Sequence, residues 1–165
     1  LLKWILKSFI RFNMKNILDI TARKEIEKRI NSLNESSHRL WGKMNVHQMV
    51  CHCSDQLKLA FGELPSKDVS NFLLKTVLKH LILWGMPAPK GKVETLPELK
   101  QGVGGTKPIS FDTDKKTLLD FIQNFQNRIE KNPNQVHAAF GKLSTDQWAR
   151  LCYIHLDHHL KQFGC

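Results

Sequence analysis

Apolar residues recur along most of this chain at intervals of three and four, the period of a helix turning about 100° per residue. The first such stretch runs from Thr21 to Leu33, with Ile26, Ile30 and Leu33 on one face. A second begins after Asn45, which is a good N-cap and has Gln48 in position to close a capping box. Its stripe is Val46, Met49, Val50, Cys53, Leu57, Ala60 and Phe61, and Gly62 and Pro65 stop it. A third, from about Asp68 to Trp84, is apolar nearly all round, which predicts burial on more than one side. Residues 86–114 follow as a long irregular stretch rich in proline and glycine. A fourth helix covers about Lys115 to Lys131. The last starts at Ser144, whose capping-box partner is Gln147, and ends at Gly164. No strand-like alternation persists. The pattern predicts an all-α protein, an antiparallel bundle of four main helices with one extra helix and a long irregular loop.

The chain has 165 residues, one domain's worth, and its 41% hydrophobic content suits a packed core. Residues 1–13 are apolar and basic, and too short to span a bilayer. They read as an upstream extension or a peripheral segment, with Met14 as the usual start and a domain over 14–165. The competing reading is a short amphipathic helix at a membrane surface. The net charge is +10. It permits contact with nucleic acid, but the lysines are scattered and no arginine-rich reading helix exists, so neither nucleic acid nor membrane is expected as a partner. Four cysteines, two of them only two residues apart, make no disulfide framework and no CxxC site. They read as free thiols of a cytoplasmic protein.

The chemistry concentrates in the last helix. His155 and His159 are one turn apart and fall near Trp148 on the helical wheel, on the face that also carries Leu151 and Cys152. Imidazoles on a buried face need polar partners, and a shared cation satisfies two at once. A divalent cation takes at least three protein ligands. His52 can supply the third, although it lies about 120° from the centre of its own stripe. His47 is its main rival. His158 competes with His159 for the second position, and the wheel favours His159. Gln162 shares the inward face and can either orient a histidine or simply pack. His137 can lie near the mouth of the site or be an ordinary loop residue. Gly102-Val-Gly-Gly-Thr-Lys107 lacks phosphate-loop spacing and follows no strand.

Met49-Val-Cys-His-Cys-Ser-Asp-Gln-Leu57 and His155-Leu-Asp-His-His-Leu-Lys-Gln162 resemble the two histidine helices of the DinB-like superfamily. His137-Ala-Ala-Phe-Gly-Lys-Leu-Ser144 is similar to a domain-of-unknown-function branch of it, and the resemblance spans about Asn45 to Phe163. It implies a four-helix bundle whose metal ligands are His52, His155 and His159. The cation would be zinc, nickel, iron or manganese. The superfamily includes thiol-dependent transferases and isomerases, so the resemblance also implies a low-molecular-weight thiol as a second cofactor. The expected activity is that of a metal-dependent transferase or hydrolase on a small-molecule substrate, in a chain that can form a homodimer. The alternative is a binding or stress-response module without catalysis, its metal structural or absent.

Overall fold

The computed structural model describes residues 14–87 and 95–165; the expectations for residues 1–13 lie outside them. Four longer helices carry the core: α1 (Ile20–Asn31), α2 (Val46–Phe61), α4 (Phe111–Gln123) and α6 (Thr145–Gln162). Shorter α3 (Lys79–Leu83) and α5 (Phe125–Ile129) sit between them in sequence. Among the described residues the protein is all-α apart from one hairpin of two-residue strands, β1 (Val136–His137) and β2 (Gly141–Lys142). In it Val136 pairs with Lys142 and His137 with Gly141. The periodicity gave no sign of this hairpin, because two residues per strand leave no alternation to detect.

Local chemistry explains where the helices begin. Asp19 accepts the Ala22 amide at the start of α1. Both capping boxes read from the sequence are formed, Asn45 with Gln48 on α2 and Ser144 with Gln147 on α6. Each satisfies amides that have no partner inside the helix. Gly62 ends α2 in the left-handed conformation, at φ 73°. The fourth helix starts at Phe111 rather than Lys115. Asp112 and Asp114 favour the positive end of the helix dipole, and Phe111 is drawn into the core. Asn124 breaks the same helix in two before α5.

Packing then sets the architecture. α2 lies against α4 and α6, and α1 lies against the same two. The core between them holds Trp148, Phe125, Ile26, Leu57, Leu118 and Leu156. α2 is the most enclosed element, with thirteen of its sixteen residues buried, including polar His52, Ser54, Asp55 and Gln56.

Two expectations fail here. The stretch Asp68–Trp84 is helical only from Phe72, with a π-helical stretch over Leu74–Leu78 leading into α3. It is not buried on several sides: Phe72 is 83% exposed and Trp84 69%, and of α3 only Leu83 is enclosed. An apolar helix is covered only where a neighbour reaches it, and here α6 reaches the Leu83 end, where Arg150 Nε donates to the Leu83 carbonyl. Conversely Tyr153, on α6, is buried in the core. The chain preceding α1 runs over this end of α6, with the Ile17 amide donating to the Ala149 carbonyl.

Candidate metal centre

His52, on the middle of α2, and His155 and His159, on the last two turns of α6, come together across the α2–α6 contact. One ring nitrogen from each lies within 4.8 Å of the others, and the ring centroids are 4.6 to 4.8 Å apart. His52 reaches this position because α2 is enclosed on nearly every side, so its offset from the main apolar stripe still points it into the protein. It is 3% exposed and His159 9%.

The hydrogen bonds fix which nitrogen each ring offers. His52 Nδ1 lies 2.9 Å from the Leu99 carbonyl oxygen. A carbonyl only accepts, so Nδ1 carries the proton and Nε2 keeps its lone pair. Gln162 donates its amide nitrogen to the Trp41 carbonyl at 2.7 Å, which turns Oε1 toward His159. Its Oε1 is 2.9 Å from His159 Nδ1, so that ring also carries its proton on Nδ1 and frees Nε2. His155 Nε2 lies 3.0 Å from His52 Nε2 and is the donor in the cation-free protein. Its Nδ1 is enclosed and has no hydrogen-bond partner among the described residues.

Electrostatics keep the three rings neutral. Burial lowers the His52 pKa, partly offset by the Leu99 carbonyl. Burial, then His159 and His52, hold His155 well below the usual histidine range. Burial and His52 bring His159 down to about 3. A neutral imidazole is the form that donates a lone pair to a cation. The geometry and the donor set fit a divalent ion held by three nitrogens, and this group could hold one.

The loop before α4 forms one wall. A 3₁₀ turn at Pro97–Leu99 brings the Leu99 carbonyl onto His52. It is anchored by buried Asp55, which accepts from the Thr106 amide and hydroxyl and from Lys58 Nζ.

The other candidates lie elsewhere. His158 packs edge-on to Trp41 and to His159, outside the converging group. His137 is buried against Phe140 and Trp148, and its Nδ1 accepts the Ala139 and Phe140 amides, so it works as a structural residue of the hairpin. Burial lowers its pKa to about 4. Cys53 points to Met49 in the core. Asp157 is taken up by Arg29 and Lys161. His47 is not an alternative to His52. Its Nε2 lies 2.7 Å from Asp114 Oδ2, which also accepts the Cys51 thiol at 3.6 Å. These three atoms form a second group that could hold a cation. The sequence reading missed Cys51 and Asp114 as partners of His47. The four-residue step from His47 to Cys51 was visible, but nothing local announced Asp114. Burial, then the charge on Asp114, pushes the Cys51 thiol up to about 12.

All four cysteines are free, and among the described residues no helix is long and apolar enough to cross a membrane. No curated protein and no solved structure matches the chain. Residues 12–164 match the family described as a protein of unknown function, DUF1569, and the chain belongs to that family.

Proposed function

We propose that this DUF1569 protein binds one divalent cation through Nε2 of His52, His155 and His159, the His155 proton shifting from Nε2 to Nδ1 on loading, in a DinB-like antiparallel bundle built from α1, α2, α4 and α6. The bundle reading is supported by the contacts of these helices, each packing against two of the others. The metal reading is carried by one observation: three neutral imidazole nitrogens within 4.8 Å of one another in a buried place. Two of the rings are oriented from behind, by the Leu99 carbonyl and by Gln162. Bound there, the cation would supply Lewis acidity, lowering the pKa of a coordinated water or thiol and polarising a carbonyl.

Three nitrogens leave coordination positions open, so we read the site as that of a metal-dependent transferase or hydrolase acting on a small molecule, with a low-molecular-weight thiol as the candidate co-substrate. A second reading, a structural metal in a non-catalytic module, is favoured by the enclosure of His52, His159 and the His155 Nδ1 atom. The free thiols support a reducing, cytoplasmic setting.

The test is metal content of untagged protein against the His155→Ala/His159→Ala variant. The variant is expected to lose one equivalent relative to wild type. Equal content in both overturns the reading. A thermal-shift screen of the metal-loaded protein with small thiols then separates the enzyme from the structural alternative, since a ligand that binds raises the melting temperature.

A further inference from the structure

We propose that His47, Cys51 and Asp114 form a second divalent-cation site, distinct from the three histidines and selective for zinc-like metals. His47 and Cys51 are one turn apart on α2, and Asp114 reaches them from the first turn of α4. His47 Nε2, Cys51 Sγ and an Asp114 carboxylate oxygen all lie within 4.8 Å of one another. They are held by two helices in firm contact, so the three arms are fixed before any ligand arrives. Asp114 Oδ2 is the focus: it accepts from His47, from the Cys51 thiol and from the Ile109 amide at 3.0 Å. A cleft of about 240 Å³ lies beside His47, lined also by Glu35, His38, Arg39 and Asn45, and gives solvent a route to that ring.

The donor set decides the metal. Three imidazoles bring no charge, so a cation among them keeps its full double charge. A carboxylate and a thiolate bring two negative charges and neutralise it. Sulfur with nitrogen and oxygen suits zinc or cobalt and disfavours magnesium or calcium. On loading, the Cys51 S–H bond breaks, its proton passes to solvent, and the sulfur electron pair binds the cation. His47 Nε2 gives up to solvent the proton it donates to Asp114 while Nδ1 takes one up, so that Nε2 is free to coordinate beside the Asp114 carboxylate. No oxidant or reductant enters.

Cobalt(II) alone is the probe, because thiolate ligation adds a near-ultraviolet charge-transfer band that imidazole ligation lacks. Untagged, metal-free protein is titrated in a phosphine reductant. The band is expected in wild type and in His155→Ala/His159→Ala, and is expected to vanish in both Cys51→Ala and Cys51→Ser. Asp114→Asn is expected to weaken cobalt binding at this site at least tenfold. Absence of the band from wild type, or its survival in a folded Cys51 variant, overturns the proposal. The double-histidine variant makes the two sites fail separately: it removes cobalt from one and leaves the thiolate band of the other.

Discussion

Gln162 Oε1 lies 2.9 Å from His159 Nδ1, and the other end of the same amide is tied to the Trp41 carbonyl. This clamp sets both the tautomer and the angle of His159. Replacing it with Gln162→Leu removes the acceptor and leaves a buried N–H unpaired. Metal affinity should fall about 10- to 100-fold while the protein stays folded. Competition with a chromophoric chelator reads this directly, and unchanged affinity would show that the amide only packs.

Gly42 stands against that clamp. Its φ is +82°, and a Cβ placed there would meet Gln162 Nε2 at 2.3 Å. Gly42→Ala therefore strains the backbone and pushes the amide off His159. It should cost about 1 to 3 kcal/mol in urea denaturation. In Gly42→Ala/Gln162→Ala the steric part should be relieved, giving a coupling of at least about 0.5 kcal/mol. Strict additivity would mean that the two residues do not communicate.

Asp55 is 1% exposed and holds the loop that carries Leu99. Asp55→Ala leaves the Thr106 amide and Lys58 without their carboxylate. Such losses in buried networks typically cost about 3 to 5 kcal/mol. Hydrogen exchange should quicken first over residues 95–107, ahead of α1 and α6. A uniform increase across the chain would mean that Asp55 supports the whole fold and not this loop.

His137 provides a pH test away from the metal ligands. Its folded pKa is about 4 against 6.5 for the free side chain, so the unfolded chain binds a proton that the folded chain refuses. Its contribution is complete above pH 6.5, falls as pH drops through the window between 6.5 and 4, and levels off below. The loss amounts to about 3 kcal/mol at most. His137→Asn should be less stable at pH 7, yet should lose less between pH 7 and pH 5 than wild type. Equal losses would show that the other buried histidines account for the whole effect.

Much of the helical frame is legible in the sequence. Asn45 with Gln48, and Ser144 with Gln147, mark the two helix starts to the residue, because a capping box is a local bond between residues three apart. The four-residue step from His155 to His159 needs only the helical period to put two rings on one face. Three-dimensional packing decided the rest. His52 joins the pair because α2 sits at the centre, so even a residue well off its apolar stripe faces protein. Asp114 meets His47 across 67 residues of chain, a relationship no window of sequence contains. The same cause left Phe72 and Trp84 in solvent and took Tyr153 into the core. Periodicity describes what one helix offers along its own faces, whereas burial depends on which neighbour the rest of the chain brings to cover each face.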